Sequence, residues 1–477
     1  MEISLAKLAL FRNLAKNGSG SGSGTGDVDI VPLSVSANGT YTARSGKAYS
    51  PVSVNIPIFG DRAEKKDVNF IDYDGTILYS YTNAEFSALR ALPANPSHTG
   101  LIAQGWNWTL ADAKTQVGLF PEQPLFIGQM YTTSDGKTRI YIHIDEGAPA
   151  NRRVFYVRYM QSVSEGVTID WGDNTSSTCL TGTSTLTAQH AYADHGDYVV
   201  SLEVTEGNLI FATSSSYSIY GSISSGFGHL VHRITKIEIG DSVILGNYCF
   251  QQCYGLSSIT IPKDTIFSTD HTCHFKTTSR LKCIVLPTSC TAISPYMFEY
   301  GGLERISIPN TAVSIGASAF DYCNNLYDIA IPFRTTSIGY GCFCYCYVIQ
   351  RINIPSGVEQ LPGYLFYCCY SLDNIVLPDN LSYIGNSAFY SCYGVTKLTI
   401  PSTVTLIDKN AFVNCYGLSE VHILRESPPT LGSSAFSNTP TPLVCYVPYS
   451  ADHSILNTYK SATNWSSIAS KIQEEQP

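Results

Sequence analysis

The chain has 477 residues and a net charge of -9, and 14% of its residues are charged while 12% are aromatic, with 32 tyrosines. This length exceeds what one hydrophobic core supports, so several domains are expected. The acidic balance argues against a nucleic-acid partner, which would need a basic surface. No apolar run is long enough for a transmembrane helix, and the first residues lack the pattern of a secretory signal.

Residues 1–16 are predicted to form an amphipathic helix, because apolar side chains recur at steps of three at Leu5, Leu8, Phe11 and Leu14. Residues 17–27 are a Gly/Ser linker that separates this helix from the rest of the chain. A helix of about four turns is marginal alone. We therefore expect it to attach the chain to another protein or to copies of itself; packing on its own neighbouring domain is the alternative.

Residues 28–60 are predicted to form a small β module. Asn38-Gly39 lies between strand-like runs and indicates a hairpin, and residues 48–56 alternate like a half-buried strand. The sequence NGTYT…GKAYSPVSVNI resembles a segment of tail and fibre proteins from phages of gut Gram-positive bacteria.

Residues 61–130 are predicted to form a small α+β module. Thr82 and Glu85 make a capping box, and Thr109 caps a second helix. Trp106 and Trp108 are interpreted as core anchors, with an exposed sugar-stacking pair as the alternative. The stretch YDGTILYSYTNAEF…HTGLIAQGWNWTLADAK resembles a recurrent module of phage tail proteins.

Residues 131–222 contain several alternating strands and a Trp171-Gly172-Asp173 turn followed by His190-Ala-Tyr192. These motifs resemble the polycystic-kidney-disease (PKD) type of immunoglobulin-like β-sandwich, which implies a spacer or a weak binder. Asp170 and Asp173 flank a tight turn, so we assign them to turn chemistry rather than catalysis.

Residues 223–448 contain a repeat of 23 residues, which predicts a solenoid whose neighbouring repeats share one core. Each typical repeat has an aliphatic residue, then Phe-x-x-Cys, then another aliphatic residue and a short strand ending in Pro. The regular Phe and Cys positions are Phe320, Phe343, Phe366, Phe389 and Phe412, and Cys323, Cys346, Cys369, Cys392 and Cys415.

This layout resembles the BspA-type leucine-rich repeat. Residues 449–477 are predicted to be a helical C-terminal cap, because a solenoid needs a polar-faced end. The predicted fold class is thus multi-domain and mostly β: small α+β modules, a β-sandwich, and a leucine-rich-repeat solenoid of period 23.

We expect neither disulfides, nor a metal site, nor a catalytic site in this chain. The 15 cysteines occur about once per repeat, which indicates buried reduced thiols rather than disulfides. His271, Cys273 and His274 could ligate zinc, but His274 occupies a packing position of the repeat, so we expect no metal or other cofactor. No catalytic motif appears, and we expect no enzyme activity. The sequence does not exclude that two acidic side chains come together in the fold, so a tail-associated polysaccharide depolymerase is a further alternative.

The candidate ligand-binding residues are tyrosines that vary among repeats or follow the repeated Cys. Stacked repeats would align them into a stripe, which offers the rigid amphipathic contact area of a binding surface. The equally weighted alternative is that the rings only cover each other. The candidates are Tyr254, Tyr322, Tyr345, Tyr347, Tyr367, Tyr370, Tyr390, Tyr393 and Tyr416.

The first functional hypothesis is a phage tail fibre or receptor-binding protein, made in the host cytoplasm and located in the virion tail. Its N-terminus would bind tail or baseplate proteins, and its repeats would bind a host bacterial surface protein or glycan. A homo-oligomer is expected, with a trimer suggested by fibre symmetry. A bacterial cell-surface adhesin with the same repeats is the alternative.

Overall fold

The computed structural model describes strands Ser34–Val35, Tyr41–Thr42 and Ala48–Tyr49 and residues 67–150, 153–161, 166–177, 186–211, 233–268, 273–373, 375–440 and 442–476. The chain divides into two compact units, 1–65 and 66–477. In the first unit the three strands, β1 to β3, form an antiparallel sheet in that order, and Val35 pairs with Tyr41 as the predicted hairpin requires. The predicted helix with Leu5, Leu8, Phe11 and Leu14 lies outside the described residues.

Residues 67–133 form an α+β module around a sheet with the strand order β5 (Ile77–Tyr81), β4 (Val68–Ile71), β7 (Leu125–Thr133) and β6 (Leu101–Trp106). Thr82 and Glu85 make the predicted capping box, and the Thr109 side chain accepts a hydrogen bond from the Asp112 backbone, as predicted. Trp106 and Trp108 are buried, which confirms their interpretation as core anchors. The elements are β4 (Val68–Ile71), β5 (Ile77–Tyr81), helix Asn83–Ala88, β6 (Leu101–Trp106), helix Leu110–Leu119 and β7 (Leu125–Thr133).

The next segment forms a two-sheet β-sandwich around a core that includes Trp171 and Tyr192. Asp170 and Asp173 accept hydrogen bonds from the backbones of Gly172 and Thr175, which confirms their role in the turn. The strands are β8 (Thr138–Ile144), β9 (Val154–Gln161), β10 (Val167–Asp170), β11 (Ser176–Ser177), β12 (Leu186–Ala191), β13 (Gly196–Val204) and β14 (Leu209–Phe211).

The solenoid has two walls of short parallel strands, because most repeats contribute one strand to each wall. The first-strand wall contains the alternating Ile-x-Ile segments. Its strands are β15 (Ile234–Glu238), β17 (Ser258–Thr260), β19 (Cys283–Val285), β21 (Arg305–Ser307), β23 (Asp328–Ile329), β25 (Arg351–Ile352), β28 (Lys397–Ile400), β30 (Glu420–Ile423) and β32 (Val444–Val447). Residues 375–377, predicted as one of these strands, are not in strand conformation.

The second-strand wall places the repeated aliphatic residue, five positions before Phe, into the core. Ile315 and Ile338 are examples; both are buried and lie in paired strands. The strands are β16 (Val243–Leu245), β18 (Ile266–Phe267), β20 (Ala292–Ile293), β22 (Ser314–Ile315), β24 (Ser337–Ile338), β26 (Gln360–Leu361), β27 (Tyr383–Ile384), β29 (Leu406–Ile407) and β31 (Thr430–Leu431).

The Phe residues form a continuous internal stack along the solenoid, as the period predicts. Phe320 and Phe343 stack with ring centroids 5.4 Å apart, and the stack runs from Phe250 through Phe275 and Phe298 to Phe436. From Phe250 to Phe412, the N–H of each stacked Phe also donates to a carbonyl of the next repeat, for example from Phe343 to Leu365 at 3.0 Å. These turns therefore bond neighbouring repeats outside the two strand walls.

The repeated Cys residues are buried hydrogen-bond donors. The Sγ of Cys346 lies 3.0 Å from the Phe320 carbonyl, and Cys369, Cys392 and Cys415 repeat this contact with the Phe of the preceding repeat. Burial raises the pKa of Cys415 to about 12, so its thiol stays protonated near neutral pH. Every cysteine in the described residues is free and buried, which confirms the prediction of reduced core thiols there.

The β-sandwich closes the N-terminal end of the solenoid instead of acting as the separate spacer that its resemblance implied. Strand β8 pairs with β15 of the first-strand wall, and β14 pairs with β16 of the second-strand wall. The two sheets thus continue as the two walls around one core. The physical reason is that a bare first repeat would expose unpaired strand edges and an open core layer.

The C-terminal end is closed by residues 449–476. Trp465 is fully buried and its ring lies 6.2 Å from Phe436, the last ring of the stack. Its indole N–H donates to the Pro429 carbonyl at 2.8 Å. The elements are helix Ser454–Ser461, the 3-10 helix Trp465–Lys471 and β33 (Ile472–Glu474), which pairs with β32.

The α+β module packs on the first-strand wall of the solenoid. Trp108 donates to the Ile308 carbonyl at 2.8 Å, and Gln116 donates to the Ile331 carbonyl at 2.9 Å. Gly128 allows a close approach, because a Cβ there would lie 2.4 Å from Val285. The module therefore covers the outer side of consecutive repeats.

Candidate binding surface

Each Phe turn contains two residues with left-handed backbone conformation, at the positions two before and two after Phe. Tyr322 and Tyr345 occupy the second position with φ of 59° and 57°. In this conformation the Tyr322 N–H donates to the Cys344 carbonyl of the next repeat at 2.9 Å. Later repeats place Asn414 and Asn438 at the same position. Asn suits this conformation, whereas a bulky residue is unusual there.

A first row of tyrosines occupies this position in consecutive repeats. The rings of Tyr300 and Tyr322 stack with centroids 4.6 Å apart, and those of Tyr322 and Tyr345 stack at 4.3 Å. Tyr345 then contacts Tyr367 edge-on at 5.4 Å, and Tyr367 stacks on Tyr390 at 4.7 Å. The row continues although the tyrosine changes its position in the repeat: Tyr367 lies one residue after its Phe, whereas Tyr345 lies two residues after its Phe.

A second row follows the repeated Cys. Tyr347, Tyr370 and Tyr393 stack with centroids 5.0 Å and 4.8 Å apart, and Tyr416 continues the row at 5.2 Å. Tyr345 joins the rows through its contact with Tyr347 at 6.1 Å. We call the joined set the tyrosine surface: Tyr300, Tyr322, Tyr340, Tyr345, Tyr347, Tyr364, Tyr367, Tyr370, Tyr390, Tyr393 and Tyr416.

Most of the tyrosines predicted from sequence are therefore brought together, with different exposure. Tyr416 is 44% exposed, whereas Tyr393 is only 8% exposed and its pKa is raised to about 12 by burial. Tyr254 packs against the hydrophobic core instead. No tyrosine occupies its position in the three repeats that follow, where Ser279, Gly302 and Asn324 stand.

Sequence reasoning missed Tyr300, Tyr340 and Tyr364. Tyr300 is equivalent to Tyr322, but its repeat has Gly301 where the regular pattern has Cys, so the Phe-x-x-Cys motif does not select it. Counting two residues beyond each Phe, including Phe298, would have found it. Tyr340 and Tyr364 lie before their Phe residues and belong to the surface through ring contacts, which the period alone does not reveal.

A charged cluster lies beside the first row. Lys276, Glu299 and Asp321 occupy the position after Phe in three consecutive repeats, and Lys276 Nζ lies 2.5 Å from Glu299 Oε2. Burial, together with the neighbouring charge of Glu299, raises the pKa of Asp321 to about 7. The Asp321 carboxyl group is therefore partly protonated near neutral pH.

The Asp321→Asn variant is expected to be more stable than the wild type at pH 8 and equally stable near pH 4. Unfolding lowers the Asp321 pKa from about 7 to its ordinary 3.8, so this group contributes a stability loss that grows between pH 4 and 7. The groups that face Asp321 are unchanged in the variant; they are Glu299, Lys276, Cys344 and Tyr322. We expect a gain of about 1–2 kcal/mol at pH 8, allowing for solvent screening.

Urea unfolding of both proteins at pH 4 and pH 8 checks this expectation. The difference between the two proteins isolates Asp321 from the other groups that titrate in this range. A stability difference that is the same at both pH values would contradict the raised pKa of Asp321.

The stacking geometry decides which part of the tyrosine rings can meet a ligand. Tyr322 has a ring on each face, and so does Tyr370, so these rings present edges and hydroxyl groups outward. Stacked pairs contribute roughly 0.5–1.5 kcal/mol each beyond their burial. The surface is thus rigid, and its interior offers hydrogen bonding and edge contacts rather than open ring faces.

The histidine predicted to pack does so. His274 is fully buried; its Nε2 lies 3.3 Å from the Leu245 carbonyl, and its Nδ1 lies 3.4 Å from the Ser294 hydroxyl. Burial lowers the pKa of His274 to about 4, so the ring is neutral near pH 7. His271 lies outside the described residues. Among the residues that the structure describes, no group of three or more His, Cys, Asp or Glu is arranged for a metal ion.

Two grooves occur elsewhere in the second unit. One of about 460 Å³ runs along the second-strand wall beside Ser314 and Ser337, and one of about 690 Å³ lies between the α+β module and the solenoid beside Leu119 and Val376. Neither is lined by a residue of the tyrosine surface. In the described part of the chain, no helix has the length and apolar character needed to cross a bilayer.

Residues 223–349 and 313–442 match the family model described as BspA type leucine rich repeat region, in six copies. Residues 223–442 therefore form BspA-type leucine-rich repeats, as the resemblance predicted, and the mostly β fold class with its period-23 solenoid is confirmed. No curated protein matches the chain.

Among solved structures, a leucine-rich repeat protein from Bacteroides ovatus is 23% identical with a TM-score of 0.37, and the match covers 51% of this chain and 66% of that one. A leucine rich cell surface protein from Faecalibacterium prausnitzii is 20% identical with a TM-score of 0.25, covering 54% of this chain and 91% of that one. The T. pallidum leucine rich repeat protein is 24% identical with a TM-score of 0.26, covering 34% and 79%.

Proposed function

We propose, on the premise that residues 223–442 form BspA-type leucine-rich repeats, that this chain is a bacterial cell-surface adhesin. It binds a protein or glycan of another surface through the tyrosine surface. The repeats supply a rigid frame, the β-sandwich and the C-terminal segment close its ends, and the α+β module covers the first-strand wall.

The observation that carries this proposal is the backbone conformation of the tyrosines. Tyr300, Tyr322, Tyr345 and Tyr364 all have positive φ, at positions that Ser, Asn, Gly, Thr, Gln or Cys fills in other repeats. A bulky residue in this conformation costs about 1–3 kcal/mol, and such strain concentrates at functional sites. Stacking offsets part of this cost, and the edges and hydroxyl groups that the stacked rings turn outward support a binding role.

The test replaces Tyr322, Tyr345 and Tyr364 together by Asn, which this backbone conformation accepts. Binding of the labelled full chain to intact bacterial and epithelial cells, measured by flow cytometry, is expected to fall by at least about tenfold in the triple variant. The control is Tyr449→Asn, because Tyr449 is 46% exposed but lies beyond the repeats. Unchanged cell binding by a folded triple variant would contradict the proposal.

A phage tail fibre or receptor-binding protein is the second candidate. The resemblance of residues 28–120 to phage tail proteins supports it, and the predicted N-terminal helix with Leu5, Leu8, Phe11 and Leu14 would attach the chain to the virion. Immunogold labelling with an antibody to the solenoid separates the two: an adhesin labels the cell envelope of the producing bacterium, whereas a fibre labels the tails of phage particles.

A further inference from the structure

The first tyrosine row ends at Tyr300, and this end differs from the interior of the tyrosine surface. The preceding repeat has Thr277 at the equivalent position, so the row cannot continue as rings. Tyr322 stacks on one face of Tyr300, and among the described residues no aromatic ring stacks on the other. Tyr300 is 46% exposed. This end therefore offers a ring face as well as a hydroxyl group.

Charged groups lie near this end of the first tyrosine row. Tyr296 is 42% exposed, and Lys276 Nζ lies 5.6 Å from its ring centroid. The same ammonium group pairs with Glu299, and the Tyr300 N–H donates to the Asp321 carbonyl at 2.8 Å. The pKa of Tyr300 is raised, first by burial and then by the charges of Glu299 and Asp321. Both carboxyl groups thus lie within electrostatic range of the Tyr300 hydroxyl.

One of these carboxyl groups is incompletely paired. The Cys344 thiol bonds to the Asp321 carboxyl group, but the buried Oδ1 of Asp321 has no hydrogen bond of ordinary geometry among the residues that the structure describes. Buried polar atoms are normally paired, so an exception needs an explanation such as a bound ligand or solvent.

We infer that Tyr296, Tyr300, Lys276, Glu299 and Asp321 form a binding subsite for an uncharged pyranose sugar. The inference rests on the proposed function and gives its ligand class at this end of the tyrosine surface. The C–H groups of a sugar pack on an exposed aromatic face, while its hydroxyl groups donate to carboxylates and accept from an ammonium. Two carboxyl groups beside a single ammonium disfavour an anionic sugar.

The experiment applies the labelled full chain to an array that carries neutral glycans and glycans with carboxylate or sulfate groups. We expect binding to a subset of the neutral glycans. Tyr300→Asn should weaken this signal by about tenfold or more, whereas Tyr300→Phe, which keeps the ring face, should retain it. The matched control is Tyr449→Asn, because Tyr449 is 46% exposed and lies beyond the repeats and outside the tyrosine surface.

The inference is overturned if no neutral glycan is bound, if anionic glycans are preferred, or if Tyr300→Asn binds as well as the wild type. The flow-cytometry assay separates this failure from that of the proposed function. Cell binding that needs Tyr322, Tyr345 and Tyr364 without glycan binding leaves the adhesin standing and removes the sugar subsite. Glycan binding that needs Tyr300, with cell binding unaffected by the triple variant, removes the adhesin role of the tyrosine surface.

Discussion

Replacing Phe366 by Ala is expected to lower the free energy of unfolding by about 3–5 kcal/mol. Phe366 is fully buried, and its ring lies 5.8 Å from Phe343 and 5.4 Å from Phe389. A missing ring leaves a cavity that the stiff turns on either side cannot fill. Each repeat of a solenoid is stabilised mainly by its neighbours, so the cavity weakens two interfaces at once.

Chemical denaturation of the full chain measures this effect. The control is Leu424→Ala, which removes a large apolar side chain that is 49% exposed in the same solenoid and should change stability by less than about 0.5 kcal/mol. Phe366→Leu should fall between the two, since it keeps most of the volume. Equal stabilities for Phe366→Ala and Leu424→Ala would show that the Phe stack does not hold the repeats together.

The repeated core positions could be predicted from sequence because the same types of side chain fill the same buried positions in nearly every repeat. One Phe, one Cys and two aliphatic residues return at a fixed spacing, and only an inward position demands that regularity. The hydrogen bond from Cys346 to the Phe320 carbonyl adds a reason for Cys at this position that burial alone does not give.

The packing of the α+β module could not be predicted, because its contacts join residues far apart in the chain and follow no period. Asn107 bonds to Leu286 and Ser307, and no local pattern marks these partners. One clue existed. The middle residue of an Ile-x-Ile strand points away from the core, and an apolar residue there, such as Val285 or Ala330, indicates a covered wall. Both residues are buried beneath the module.

The tyrosine surface could be predicted only in part from the sequence. Exposed positions are not fixed by packing, so their identity varies and only the alignment of repeats brings them together. The sequence predicts that Tyr347, Tyr370 and Tyr393 align, since they follow successive Cys residues. Whether the rings expose faces or edges depends on the distance between repeats and on the left-handed backbone at Tyr322 and Tyr345, which required the structure.

Replacing Asn107 by Ala is expected to detach the α+β module from the solenoid while both remain folded. Asn107 is fully buried; its Nδ2 donates to the carbonyls of Leu286 and Ser307 at 2.9 Å and 3.3 Å. Its Oδ1 accepts from the Gly128 N–H at 2.8 Å and the Ser307 hydroxyl at 3.0 Å. Each buried group left unpaired costs about 1–3 kcal/mol, so we expect a total of about 3 kcal/mol or more.

Amide hydrogen exchange measures this detachment, because it reports local opening as well as global unfolding. A loss of about 3 kcal/mol corresponds to roughly a hundredfold faster exchange at residues 126–128 and at the facing residues 285–308, which the docked module protects. The control is Arg334→Ala, which removes the pair with Asp112 at the same interface; Arg334 is 55% exposed in this pair, so about 0–1 kcal/mol is expected. Exchange in Asn107→Ala no faster than in Arg334→Ala would mean that apolar contacts, such as those of Val285 with the module, hold the interface without the polar network. If detachment instead creates new cell binding, the first-strand wall is itself a binding face that the module keeps covered.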